Sequence, residues 1–468
     1  MRKRYKVALW SLGVVALVGL TVGALFYALF ATFYPSAPDA KYPPALNLAQ
    51  AQRQDLDYFR NYFDYNKAYS PAAREEAGKL LAGYTAQAGT LSPAAFDLAV
   101  SRVIALADNG HSTVFMGPFS RHHNRLPCRL YKFSDGFFVL RARPACADLL
   151  GAQVLAIDGH PVKQIVDGMF QYSRGPRNHY DQFKAVFYLE SPELLHAAGF
   201  AQASDRETLH IRARDGSERD ETIVADKPDA NAPRVFSDSY LSPSPIDGEA
   251  KDWKALLPRD AQVPLFLRDY ENPFQSIYWS DKKTYYVQFR SNSDEPGHPI
   301  GAFVDRVKGE IAAKKPNTII LDLRLDQGGN FTKTASLMKH IADHAQHVYV
   351  LTSAWTFSAG NVSLALAKFH GGDKVTIVGE PAGDRMRIWA EGGDMVLPNS
   401  KLDMGFATGL HDYTKSCWGE PGCFWVMYLY PMQLKSWMPD VRVPYTFADY
   451  AALRDPALDR VLFTLSKS

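Results

Sequence analysis

Cysteine, and runs of one charge sign, are what this 468-residue sequence has least of. It has four cysteines, with no C-x-x-C spacing and no histidine at finger distance, which argues against a zinc site. No basic stripe interrupts the mixed charges, whose formal sum is +2, so nucleic acid is not an expected partner. No HExxH motif or acidic partner accompanies His340, His344 and His347, which recur near helical spacing and read as a solvated helix face. Neither a metal nor an organic cofactor is expected.

Charge is also missing from one long stretch: no charged residue stands between Lys6 and Asp39. At about 1.5 Å per residue this run is long enough to cross a hydrocarbon core of roughly 30 Å, and it predicts a transmembrane helix through residues 7–33. A cleaved signal peptide is the competing reading, but its apolar region would be about 7–15 residues long and end in a small-x-small site. Arg2, Lys3, Arg4 and Lys6 precede the run, so the expectation is a single-pass membrane protein with a cytoplasmic N-terminus. The rest of the chain would then lie outside, in the periplasm if the protein is bacterial. An oxidising compartment would close two sequence-local disulfides, Cys128 with Cys146 and Cys417 with Cys423, although four cysteines allow three pairings.

The chain divides by pattern. After an anchor over 1–34, residues 35–125 read as a helical unit; Ser70-Pro71 and Ser92-Pro93 each place a capping serine before a first-turn proline. Residues 126–225 turn to short strand-like runs separated by glycine turns. Residues 226–270 are polar and proline-rich, as a linker would be. Residues 271–468 alternate strand and helix, which predicts an α/β core with a mostly parallel sheet and a site at its strand ends.

Two strand-to-helix turns in that core carry candidate chemistry. In "LTSAWTFSAGNVSLALAKF" a buried strand breaks at Ser358-Ala359-Gly360, as a nucleophile on a sharp turn would require. In "LDLRLDQGGN" the amides of Gly328 and Gly329 are free of side-chain interference and, with that of Ala359, can form an oxyanion hole. Taken alone, the glycines serve equally as a tight turn. The candidate base is His111 in "LADNGHSTVF", an imidazole in a turn with a near-neutral ordinary pKa.

Together, "LADNGHSTVF", "TIILDLRLDQGG", "TFSAGN", "KVTIVGEPAGD", "DMVLPNSKLDMGF" and "MPDVRVPYTFADYAALRDPAL" resemble the C-terminal processing and tricorn-core serine peptidases. The resemblance covers about residues 95–465 and implies a Clp protease/crotonase-like catalytic core. It also implies that the module containing "LLGAQVLAIDGHPV" is an inserted PDZ-like domain, although "KFSDGFFVL" offers only Gly136 toward a carboxylate-binding loop. Members with a serine–lysine dyad carry the lysine about 25 residues after the serine; here "GEPAGDRMR" has Gly383 and Asp384. The other branch uses serine and histidine with an acid, and its acid position aligns with Gln433, with Glu420 and Glu380 as substitutes. A glutamine fixes the imidazole tautomer without stabilising imidazolium by charge. The resemblance implies a serine endopeptidase acting on a peptide or protein substrate, and with the apolar N-terminal run the expectation is a membrane-anchored one. The alternative is a catalytically silent peptidase-fold binding or scaffold protein.

Overall fold

The computed structural model describes residues 17, 19–21, 23, 24, 27–233 and 236–467. The α/β core predicted for the last part of the chain is present. Six strands run in the spatial order β6-β5-β4-β3-β2-β1, where β1 is Phe274–Trp279, β2 Thr284–Phe289, β3 Thr318–Asp322, β4 His347–Thr352, β5 Val375–Gly379 and β6 Val441–Arg442. All neighbours are parallel except the antiparallel pair β1–β2.

The near-continuous apolar spelling of these strands follows from burial on both faces. Alternation splits each strand between two clusters. Ile319, Leu321, Val350 and Ile377 join α1 (Ile300–Lys314), α2 (Ala335–His344) and α3 (Ala359–Gly371) on one side. Ile320, Leu351 and Val378 meet Leu458 and Val461 of the last helix, Pro456–Leu465, on the other.

Helices Leu48–Phe59, Pro71–Ala86 and Pro93–Ala105 fill the N-terminal region. The hydroxyls of Ser70 and Ser92 accept from the amides of Ala73 and Ala95, each at 3.2 Å, so the serine-proline starts work as capped first turns. A five-stranded antiparallel sheet follows: Cys128–Phe133, Gly136–Ala142, Gln153–Ile157, Arg206–Arg212 and Glu218–Val224, with shorter strands at its edges. One hydrophobic cluster runs from Leu56 and Val100 through Val139 and Ile211 to Met404, so the helices share a core with this sheet and with the hairpin around 393–406. Within the proline-rich stretch, Tyr240, Leu241, Leu257 and Phe266 are buried against Tyr131, Trp355 and Tyr450.

Two expectations are corrected. Residues 1–16, 18, 22, 25 and 26 of the anchor region lie outside the described residues, and among the described residues no helix is long and apolar enough to cross a membrane. The expected transmembrane span, and the single-pass topology drawn from it, therefore do not stand. The end of that apolar run is used inside the protein: Phe33 is only 4% exposed, meets Phe424 edge-on at 5.0 Å, and its carbonyl accepts from the Thr408 hydroxyl at 2.6 Å. The second correction concerns sulfur. Cys417 and Cys423 are bonded, with Cα atoms 5.4 Å apart, but Cys128 and Cys146 are free, buried thiols. A thiol–thiol hydrogen bond joins them, and with burial it pushes the Cys128 thiol well above its ordinary range.

Replacing Phe33 by alanine removes a ring from this core, and Phe33→Ala is expected to lower stability by about 3 kcal/mol. Urea unfolding of the full chain checks this; an unchanged midpoint would show that the segment does not contribute to the core.

Candidate active site

The carboxyl ends of β3 and β4 are adjacent, with Asp322 opposite Leu351, and the turns leaving them meet. After β4 the chain is held by the Thr356 hydroxyl, which donates to the Leu323 carbonyl at 2.8 Å, and by the Phe357 amide, which donates to the Asp326 carbonyl at 3.0 Å. Ser358 then adopts φ 52° and ψ −120°, a backbone conformation that L-residues seldom take, and α3 begins at the next residue. Gly360 is required because a Cβ there would lie 2.4 Å from the Asp326 carbonyl oxygen. Small residues after the serine thus let two turns touch.

Gly328 has φ 110°, and a Cβ on it would lie 2.6 Å from Ser358 Cβ and 3.0 Å from the Ala359 amide nitrogen. Its own amide donates to Asp326 Oδ1 at 3.1 Å. The two glycines are therefore not equivalent. The amides of Gly329 and Ala359 have no acceptor among the described residues, and both residues line a cavity with Ser358.

His111 is brought to the same place from far back in the chain. Thr113–Val114 pairs with Met404 and Gly405, fixing the segment just after the histidine. Just before it, the Asn109 side chain donates to the Trp389 carbonyl at 2.9 Å and accepts from the Trp389 amide at 3.2 Å. Arg385 grips Asp108 at 2.9 and 3.0 Å. These ties carry Asp384 to the imidazole, with Oδ2 3.5 Å from His111 Nδ1. On its other side the ring stacks on Phe357, centroids 4.6 Å apart, and Phe357 stacks in turn on His179 at 4.0 Å.

Ser358, His111, Gly329 and Ala359 line one cavity of about 480 Å³, with Phe183, Lys184, Phe331 and Glu391 among its other walls. Neither His111 ring nitrogen has a hydrogen-bond partner here, so the imidazole is available to Ser358 without being bonded to it. Burial, with the His411 ring adding to it, lowers the His111 pKa to about 4. Burial also raises that of Asp384 to about 7, against a weaker opposing pull from the Arg385 amide and guanidinium. Both groups are thus driven toward their neutral forms.

The three residues expected from sequence to orient His111 stand elsewhere. Gln433 is exposed on the loop before β6. Glu420 pairs with Arg387 at 2.6 Å and with Lys415 at 3.5 Å. Glu380 accepts from the Tyr445 amide at 3.3 Å beside a separate small cavity. Asp384 is the carboxylate at His111, and its only sequence signal is its place in the turn where the lysine branch carries its base. A second acid–imidazole pair also escaped sequence reading: Glu391 Oε1 is 3.2 Å from His411 Nε2, and the Tyr34 hydroxyl donates to the same carboxylate. His340 and His344 stack on one another at 3.9 Å on α2, away from this cavity.

A scan of protein-family models gives no match, and no curated protein sequence matches the chain. Solved structures do match. CPAF complexed with lactacystin aligns with a TM-score of 0.54 at 13% identity, covering 89% of this chain and 98% of that one. A CPAF mutant gives 0.56 at 13%, covering 87% and 95%. The photosystem II D1 C-terminal processing protease aligns at 0.38 and 12%, covering 84% and 93%. This chain shares its fold with CPAF. The identities are low, so it is the fold that this likeness establishes, and the fold is the one that the motifs around His111, Gly328 and Ser358 imply.

Asp384 gives a pH-dependent stability with a definite sign. The folded state holds its proton up to about pH 7, whereas the ordinary value is 3.8. The stabilisation is fully present below 3.8 and lost as pH rises through 7. At about 1.4 kcal/mol per unit, Asp384→Asn should gain about 4 kcal/mol over the protein that keeps Asp384 across that window. His111, 3.5 Å away, carries the opposite sign, so the comparison is made in a His111→Ala background. Denaturant unfolding at several pH values checks this; a difference independent of pH would contradict it.

Proposed function

We propose that this protein is a serine peptidase in which Ser358 is the nucleophile, His111 the general base and Asp384 the residue that orients His111. The observation that carries the reading is the convergence of a strained serine at a helix start, a buried imidazole backed by a carboxylate, and two open amides on one cavity. The Ser358 hydroxyl attacks the scissile carbonyl carbon while His111 takes its proton. The oxyanion that forms is held by the Gly329 and Ala359 amides. His111 then gives the proton to the leaving amine as the C–N bond breaks, and water attacks the acyl-enzyme by the same route in reverse. In this arrangement the low proton affinity of His111 keeps it in the unprotonated form that accepts a proton well below pH 7. Developing imidazolium is stabilised by charge only when Asp384 is ionised.

The β-rich module at 126–225 fits a PDZ-like domain used as a gate or spacer: its sheet shares a core with the N-terminal helices, and Lys184 and Phe183 from it reach the cavity wall. Residues 35–125, which bring the base, and 271–468, which bring the nucleophile, complete the division. A catalytically silent peptidase-fold binder is the second reading, favoured by one observation, that neither ring nitrogen of His111 is hydrogen-bonded.

A fluorophosphonate probe separates the two. Labelling that disappears in Ser358→Ala and His111→Ala establishes the nucleophile and base; a folded wild type that does not label supports the silent binder. With a cleaved peptide in hand, Asp384→Asn should lower kcat by about 10³- to 10⁴-fold above pH 7, where Asp384 is ionised, with little change in KM.

A further inference from the structure

The cavity contains a buried cation with no counter-charge. Lys184 is 3% exposed, sits at the junction between helices Arg177–Phe183 and Ala185–Leu189, and lines the same cavity as Ser358 and His111. An ammonium has three donors. Among the described residues, the one hydrogen bond of this ammonium goes to the Thr113 hydroxyl, and no carboxylate pairs with it.

Among the described residues the buried guanidiniums have stronger partners, although Nε of Arg125, Arg141 and Arg290 has none. Arg125 pairs with Glu190, Arg141 with Glu249, and Arg324 with both Asp322 and Asp455, while Arg290 donates to carbonyls of Phe266, Arg268 and Tyr270. An unpaired buried charge is costly, and the group loses its charge unless a partner arrives. Burial alone brings the Lys184 pKa down to about 7, so the free site holds the charge weakly and a bound anion would restore it. The acids on the cavity wall do not serve it. Glu391 is committed to His411 and Tyr34, and Asp394 is exposed at the mouth. Phe183, Phe331 and Phe357 supply apolar walls around it.

We propose that Lys184 binds a carboxylate of the substrate inside this cavity, so that the peptides taken here are anionic at the point of contact, through either a chain-terminal carboxylate or an Asp or Glu side chain. The inference rests on reading the cavity as the peptide site, and it adds the substrate class.

The test is a binding measurement on full-length Ser358→Ala, which needs no turnover. Three fluorescein-labelled hexapeptides of alanine and leucine are compared by anisotropy: one with a free C-terminal carboxylate, one with a C-terminal amide, and one amidated with glutamate at the third position. One or both of the carboxylate-bearing peptides should bind about ten- to a hundredfold more tightly than the neutral amide. Which of them does so identifies the source of the carboxylate. Adding Lys184→Met should abolish the preference, and Lys184→Arg should retain part of it. Equal affinities for all three peptides, a preference that survives Lys184→Met in a protein with a wild-type melting profile, or no saturable binding of either carboxylate peptide would overturn the proposal. Failure of the peptidase reading shows separately, as a wild type that binds these peptides but does not react with the fluorophosphonate.

Discussion

The site depends on one contact, the approach of the turn after β3 to the turn after β4. Gly328 lies against Ser358, Gly360 lies against the Asp326 carbonyl, and the Phe357 amide closes the pair on that same carbonyl. A Cβ at either glycine would force the turns apart, and the Ser358 backbone conformation would lose what holds it. The parallel pairing of β3 and β4 supplies the frame, since adjacent strands running the same way deliver both exits to one edge. Everything chemical about the cavity follows from that edge: a hydroxyl at a helix start, two amides beside it, and space in front.

His111 is positioned by a different kind of constraint. No strand of the parallel sheet carries it. It is tied through Asn109 to the Trp389 backbone, through Asp108 to Arg385, and through the pairing of Thr113 to Gly405. Those same ties fix Asp384, so base and carboxylate are set by one set of bonds and move together if they move at all. Stacking on Phe357 links the base to the residue preceding the nucleophile. The aromatic contact excludes water from the imidazole, and the resulting burial is why both His111 and Asp384 favour their neutral forms.

The alternating strands and helices after residue 271, the serine-proline helix starts and the Ser358 turn were legible in the sequence because each rests on local pattern: periodicity, capping and small residues at a tight approach. The orienting carboxylate was not. Alignment pointed to Gln433, whereas the structure brings Asp384 to His111 through contacts between segments that sequence spacing does not relate. The apolar N-terminal run misled for a related reason. Its composition suits a lipid environment and a protein core equally, and only the docking of Phe33 on Phe424 shows where its end lies. Cys128 and Cys146, local in sequence, met as expected and yet are thiols; proximity of cysteines does not by itself fix their oxidation state.

Buried charge is partnered differently in the framework and in the Ser358 cavity. Around Arg125, Arg141 and Arg324 every buried cation has its carboxylate, and breaking any one pair would strand the other partner. In the Ser358 cavity the opposite holds: Lys184 has only a hydroxyl, and both nitrogens of His111 are unbonded. Lys184 and His111 thus bring unmet polar groups to one cavity of about 480 Å³. A ligand supplying an anion to Lys184 and a carbonyl to the Gly329 and Ala359 amides would meet them together, and so would lie across Ser358 in a single orientation.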